Sequence, residues 1–117
     1  MNINSQKDDL LAQAKGNSNG RAAEIVVHDG PLRQTLIALT EGTVLSAHNS
    51  PPAASMFVLV GEVEITGADE TTISEGNLKV LTHVKHGVKA LTYSMFLLTT
   101  VTGIDGEIGR ASCRERV

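Results

Sequence analysis

The four histidines are the side chains of this 117-residue chain best suited to chemistry near neutral pH. A neutral imidazole binds transition metals and also hydrogen-bonds small organic ligands. His48 lies within GTVLSAHNSPPAASMFVLV, just before Gly61, whereas His83 and His86 share the short segment THVKH. His28 precedes the turn sequence Asp29-Gly30-Pro31 and is expected to be a solvated surface residue.

Cysteine and serine chemistry have little support. The only cysteine, Cys113, lies in EIGRASCRERV, residues 107–117, which has no periodicity and no apolar face. Read back into codons, this stretch resembles a sequencing adaptor translated in frame, so we interpret it as an artefactual, disordered tail. A genuine basic tail is the competing interpretation. Without the tail the chain has no thiol, and no serine has the G-x-S-x-G setting of a nucleophile.

Charge and composition exclude several partners. Residues 1–106 contain seven basic and eleven acidic side chains, and the chain has two phenylalanines, one tyrosine and no tryptophan. A nucleic-acid-binding surface needs a basic stripe and stacking aromatics, so such binding is disfavoured. No apolar run approaches the roughly 20 residues that cross a bilayer. No apolar signal-peptide region is visible near the N-terminus, so a cytoplasmic location is expected.

The chain predicts one short helix followed by β structure. SQKDDLLAQAKG predicts a helix with Ser5 as its N-cap and Gly16 near its end, and NSNG predicts a flexible linker. Residues 1–20 therefore form a helix and linker, and residues 21–106 a single all-β domain. About nine short runs rich in Val, Ile, Leu and Thr alternate with turn residues, which is typical of an antiparallel sandwich or barrel. The run from Tyr93 to Val101 is apolar on both faces, which predicts that one face lines the barrel and the other meets a sheet or a subunit.

The order of glycines and histidines is similar to that of the cupin superfamily. Gly42, five residues, His48, a proline turn and an apolar strand ending at Gly61 resemble the first cupin signature. Gly76, the strand LKVL and a segment ending at His86 resemble the second. The resemblance covers residues 32–101. It implies an all-β, RmlC-like jelly-roll barrel (a double-stranded β-helix) with a short N-terminal helix, and it implies a homodimer.

The same resemblance implies where metal ligands would stand. His48 and His86 match the first and last histidines of the cupin pattern, but Ser50 replaces the second histidine. The glutamate position falls at Ala53 or Ala54, and neither alanine can coordinate a metal. His83 is the one further candidate. Only two of the four implied ligand positions therefore keep a histidine, whereas even a catalytic zinc site keeps three protein ligands. We expect no firmly bound cofactor, or a divalent transition metal at low occupancy on His48, His86 and His83.

These observations leave more than one function open. The first is a small-molecule-binding cupin barrel of unassigned activity, without a complete metal site. Its expected ligand contacts are His48, Ser50, Met56, His86 and Tyr93. The alternative is a metal-dependent cupin enzyme, of the dioxygenase or isomerase type, that uses His48 and His86. A third is an accessory protein with no ligand. No catalytic residue is assigned, so whether the chain is an enzyme stays undecided at this stage.

Overall fold

A computed structural model describes residues 2–46, 53–67, 71–81 and 86–102, with His86 described by its backbone alone. The predicted tail, residues 107–117, lies outside this part of the chain, as do residues 68–70 of TGADE (66–70), a sequence that predicts a hairpin loop. The described residues form one helix and nine strands, which confirms the predicted all-β fold with a short N-terminal helix. These elements are α1 (Ile3–Gly16), β1 (Arg21–Asp29), β2 (Leu32–Leu39), β3 (Val44–Leu45), β4 (Ala53–Val60), β5 (Glu62–Gly67), β6 (Thr71–Ser74), β7 (Leu78–Val80), β8 (His86–Ala90) and β9 (Ser94–Val101).

The helix begins earlier than predicted. Asn2, not Ser5, is the N-cap: its side-chain oxygen accepts hydrogen bonds from the backbone N–H groups of Asn4 (3.0 Å) and Ser5 (3.3 Å). Both residue types cap helices well, and the earlier one satisfies the first free N–H groups. Among the described residues α1 is the only helix, and it is neither long nor apolar enough to cross a membrane.

The strands form two antiparallel sheets. The five-stranded sheet has the order β1-β2-β9-β4-β7, and the four-stranded sheet has the order β3-β8-β5-β6. Strands far apart in sequence are neighbours, as β2 and β9 are, because the chain passes repeatedly from one sheet to the other. This connectivity is that of a jelly roll.

Each face of the five-stranded sheet packs against a different layer. Its inner face and the inner face of the four-stranded sheet share one buried cluster, which includes Ile37, Met56, Val58, Ile65 and Phe96. Its outer face packs against α1 through a second cluster: Leu10, Leu11, Ala14, Ala22, Leu36, Ala38 and Met95. The outer face of β9 was predicted to meet a sheet or a subunit. That prediction is wrong for the half of the strand around Met95, because α1 covers it.

The predicted linker between α1 and β1 is a hydrogen-bonded turn. The Asn17 side-chain amide donates to the Arg21 carbonyl at 2.8 Å, and the Gly20 N–H donates to the Asn17 carbonyl at 3.1 Å. The Thr40 N–H in turn donates to the Gly20 carbonyl at 2.8 Å. These bonds fix the direction in which α1 leaves the sheet and place its apolar stripe on β1 and β2.

Candidate functional site

One end of the barrel carries polar side chains on its inner face. The strand register places His28, Arg33, Thr100 and Ala54 side by side on β1, β2, β9 and β4. Side chains alternate along a strand, so Arg33 shares the inner face with Ile37, four residues further along β2. We call these four residues the mouth row. One step deeper lie Thr35, Leu98, Met56 and Lys79, which we call the second row.

Arg33 and His28 are hydrogen-bonded at the mouth. The Arg33 Nη2 atom lies 3.0 Å from the His28 Nε2 atom. A guanidinium group has no acceptor, so Nε2 must accept this bond, and the imidazole is then neutral with its proton on Nδ1. His28 is exposed, as expected from the sequence, but it belongs to β1 rather than to a turn, and it orients an arginine.

Sequence reasoning missed Arg33, whose side chain is only half-exposed. Its Nε atom is buried and has no hydrogen-bond partner among the described residues. Buried donors are nearly always paired in folded proteins, so such an atom calls for an explanation. The available signal was a charged residue at an inner position of LRQTLIAL, in step with Ile37 and Leu39.

The described inner face carries only positive charge. Lys79 lies opposite Met56 in the second row and is half-buried. The acidic residues of the described strands are Glu24, Asp29, Glu62 and Glu64, and each takes an outer position in the register. Glu62 and Glu64 alternate with the buried residues Val63 and Ile65 along β5, which places both carboxylates on the outer face. Although the chain has a net charge of −3, Arg33 and Lys79 therefore face the barrel interior.

The structure separates two of the predicted ligand contacts. Met56 is 1% exposed and belongs to the inner cluster, one row below the mouth. Tyr93 packs at the edge of the helix-side cluster, with the Lys15 ammonium 4.7 Å from its ring centroid. Burial there, and the charge of Asp8, raise the pKa of the Tyr93 hydroxyl above its ordinary value. A ligand in contact with Met56 would therefore not meet the Tyr93 ring.

The remaining predicted contacts lie outside the described side chains. His48, Ser50 and His83 are not among the described residues, and of His86 only the backbone is described, opposite Gly67 at the start of β8. Their predicted ligand and metal contacts stay predictions.

The described residues supply no metal ligand where the cupin resemblance implies a glutamate. Ala54, at that place, is buried in the inner cluster beside Thr100 and offers only a methyl group. Within the described part of the chain, no three His, Cys, Asp or Glu side chains are grouped so that they could hold a metal. A metal site on His48, His83 and His86 therefore stays a prediction from the sequence.

A cleft lies at the side of the barrel, where β1 and β3 are edge strands. This side cleft has a volume of about 410 Å³, and its apolar walls include Ala23, Ile37 and Leu45. Its rim carries Gln13, Asn17, Asn19 and Arg21. The volume is within the range of small-molecule sites, about 300 to 1,000 Å³. The cleft is therefore a competing location that any binding experiment must separate from the mouth.

Two antiparallel sheets with jelly-roll connectivity, closed over one apolar core, define the class of this protein as a double-stranded β-helix. Among solved structures it is similar to a protein of unknown function from Streptococcus pyogenes, with 25% identity over 74% of this chain and 78% of that one, and a TM-score of 0.67. An RmlC-like cupin from Desulfovibrio desulfuricans is 24% identical over 69% of this chain and 81% of that one, with a TM-score of 0.61. A cupin superfamily protein from Desulfitobacterium hafniense reaches a TM-score of 0.69 at 14% identity, covering 80% of this chain and 88% of that one.

The chain therefore has the cupin fold, as the glycine and histidine pattern predicted. No protein-family model matches the sequence, and no curated protein matches it either. The likeness is thus one of architecture, and the function must be argued from the barrel itself.

Proposed function

We propose that this chain is a cupin that binds a small organic molecule at the mouth of its barrel, without a complete metal site. The observation that supports this proposal is that the side chains of the inner face change from apolar in the barrel core to polar at the mouth. Phe96, Val58 and Ile37 form an apolar floor, Met56 and Leu98 follow, and the mouth row adds hydrogen-bonding groups. An apolar cavity with a few polar groups at its rim is the usual form of a small-molecule site.

Binding would divide the ligand between these layers. Its apolar part would contact Met56 and Leu98, and each Å² removed from water there contributes about 25 cal/mol. Its polar part would meet the mouth row, together with His48, Ser50 and His86. This division requires no chemical step, and the proposal assigns no catalytic residue.

The test uses two methionines that lie on opposite faces of one sheet. Met56 belongs to the inner cluster and Met95 to the helix-side cluster, and the exposed fraction of each is at most 1%. A thermal-shift screen of sugars, organic acids and phenolics first finds molecules that raise the melting temperature. A ligand at 100 times its Kd stabilises the folded state by about 2.7 kcal/mol. Each such molecule is then titrated into protein with ¹³C-labelled methionine methyl groups.

A mouth ligand should shift the Met56 methyl signal and leave the Met95 signal in place. The substitution Ala23→Leu, which narrows the side cleft, should leave binding unchanged. Binding that Ala23→Leu abolishes, or that shifts neither methyl group, would place the ligand elsewhere and contradict the proposal. A screen without any stabilising molecule would favour the accessory protein instead.

We further propose that the protein is a homodimer. Leu78 and Val80, on the outer face of β7, are 64% and 65% exposed, because α1 packs on the same face of that sheet but at its other edge, near β1 and β2. Apolar side chains grouped on a surface commonly mark an interface. We also propose a cytoplasmic location, as expected from the sequence, and cell fractionation tests it.

A further inference from the structure

We infer that the ligand of the barrel mouth carries a carboxylate group and that Arg33 is its anchor. The inference rests on the proposed function, since it names the class of molecule that the mouth would bind.

The first argument is the unused hydrogen-bonding capacity of Arg33. A guanidinium group has five N–H donors in a fixed fork. His28 accepts one of them, and the buried Nε–H has no acceptor among the described residues. A buried donor that has lost water without gaining a partner destabilises the arrangement, and an incoming acceptor relieves that cost. A carboxylate is the best match, because its two oxygens can accept two parallel N–H bonds.

The second argument is the role of His28. Its Nε2 atom accepts from Arg33 Nη2, so it holds the guanidinium without neutralising its charge. A carboxylate at that place would have formed an internal ion pair and left no need for an external anion. His28 therefore acts as a positioning residue for Arg33.

The third argument is the sign of the charge on the inner face. Arg33 and Lys79 are half-buried there, whereas the acids of the described strands take outer positions. Half-buried cations that no carboxylate of the described strands faces favour an anion from solution. The apolar second-row residues Met56 and Leu98 lie directly below, which favours an organic acid over an inorganic anion such as phosphate.

The approach of the ligand follows from the burial of Nε. Protein atoms enclose Nε in this structure, so a carboxylate meets the terminal Nη groups first. Rotation of the guanidinium about its side-chain torsions then presents Nε–H and one Nη–H side by side to both oxygens. The competing explanation is an acceptor supplied by the protein outside the described residues. In that case Nε–H would not respond to ligand.

The experiment compares acids with amides of the same shape on the full chain. Hexanoate and benzoate are the acid probes, hexanamide and benzamide their neutral counterparts, and phosphate is the inorganic probe. Binding is measured by titration of the Met56 methyl signal and of the arginine ¹⁵Nε–¹Hε signals. The chain has five arginines, so the Arg33 signal is assigned by its loss in Arg33→Lys. Its burial slows exchange with water and keeps the signal visible.

We expect at least one acid to bind about tenfold more tightly than its amide and to shift the Arg33 Nε–H signal. Arg33→Gln should remove that preference while leaving amide binding within about twofold of wild type. Arg33→Lys keeps the charge but loses the fork, so it should retain only part of the preference. His28→Gln should weaken acid binding alone, and the matched control Arg21→Gln, at the side cleft, should change neither.

Each contrary result is distinct. Acids and amides that bind equally, or an Arg33 signal that ignores bound acid, would overturn the carboxylate class while small-molecule binding stands. Phosphate that displaces the acids with the same Arg33 shift would make the site one for inorganic anions. If neither acids nor amides move the Met56 signal, the carboxylate inference fails, and the proposed function fails with it only if the wider screen is also empty. Circular dichroism checks the fold of each variant, and if Arg33→Gln does not fold, Arg33→Lys and His28→Gln decide the question.

Discussion

Gly61, which ends the first cupin-like segment of the sequence, is required for two separate physical reasons. Its φ of +78° lies in the left-handed region, and a Cβ atom placed there would collide with the Tyr93 carbonyl oxygen and the Ser94 hydroxyl. Ser94 is buried, and its hydroxyl accepts from the Glu62 N–H at 3.1 Å and donates to the Thr92 carbonyl at 2.7 Å. The Tyr93 carbonyl and the Ser94 hydroxyl therefore cannot move away from an added Cβ atom without breaking hydrogen bonds or shifting the backbone.

We expect Gly61→Ala to lower the free energy of unfolding by at least about 2 kcal/mol, since strain and collision add. Gly42→Ala is the matched control. Gly42 has a similar φ of +84°, but apart from its chain neighbours no atom of the described residues lies within 4 Å of an added Cβ. It should cost only the backbone strain, about 1 kcal/mol. Urea denaturation followed by circular dichroism measures both, and equal losses would contradict the role of the Tyr93 carbonyl.

The metal content of the purified protein follows from the residue at the expected glutamate position. Ala54 places a methyl group on the inner face of the mouth row, so this position adds no ligand to the predicted histidines. We expect elemental analysis of protein purified without a chelating tag to find less than about 0.1 equivalent of any transition metal, because only two of the four ligand positions that the cupin resemblance implies, His48 and His86, keep a ligating residue, and even a catalytic zinc site keeps three protein ligands. A stoichiometric metal that His48→Ala removes would instead support the metal-dependent enzyme.

At the scale of elements, α1 is part of the barrel's packing rather than an appendage. Leu10 is 1% exposed and packs with Leu36 and Met95 on the outer face of the five-stranded sheet. Leu10→Ala should therefore lower the free energy of unfolding by about 2 to 5 kcal/mol, as for other buried leucines. Asp9→Ala, on the exposed side of the same helix turn, should stay within about 0.5 kcal/mol of wild type. A small loss for Leu10→Ala would mean that α1 docks weakly.

The strands and the helix stripe were predictable, because they depend on local pattern. Alternation and turn residues indicated about nine strands, and Leu10, Leu11 and Ala14 have the spacing of one helix face, the side of α1 that is buried. What α1 covers was not predictable, since Met95 is about 80 residues away along the chain. A local pattern states that a face is apolar without naming its partner.

The hydrogen-bonded pair of His28 and Arg33 could not be predicted from the sequence for a related reason. The register of β1 on β2 shifts between Ile25 and Val27, where a bulge inserts one extra residue. A one-residue shift moves every later side chain to the other face, so the face that His28 takes depends on that bulge. The sequence could therefore predict only those site residues that belong to the cupin-like pattern. Arg33 could be placed beside His28 only once the strand register was known.

At the scale of the whole molecule, the outer face of the five-stranded sheet has one region that the protein covers and one that it leaves exposed. The α1 helix covers the region near β1 and β2, whereas Leu78 and Val80 on the edge strand β7 stay exposed beside Phe57. An uncovered apolar edge favours self-association, and a stable interface buries at least about 1,000 Å². If a second copy of this chain packs its own β7 edge against this surface, Leu78 and Val80 of both copies are buried.

We expect light scattering after gel filtration to give about twice the chain mass of 12.4 kDa for the wild type. Val80→Lys should give the monomer mass, because the substitution brings a charge into the apolar contact without disturbing the barrel core. Val44→Lys is the matched control, since Val44 is 52% exposed but lies on the edge of the other sheet. A wild-type monomer at micromolar concentration would contradict the homodimer. A dimer that Val44→Lys dissociates and Val80→Lys does not would move the interface to the side of the barrel that carries the cleft.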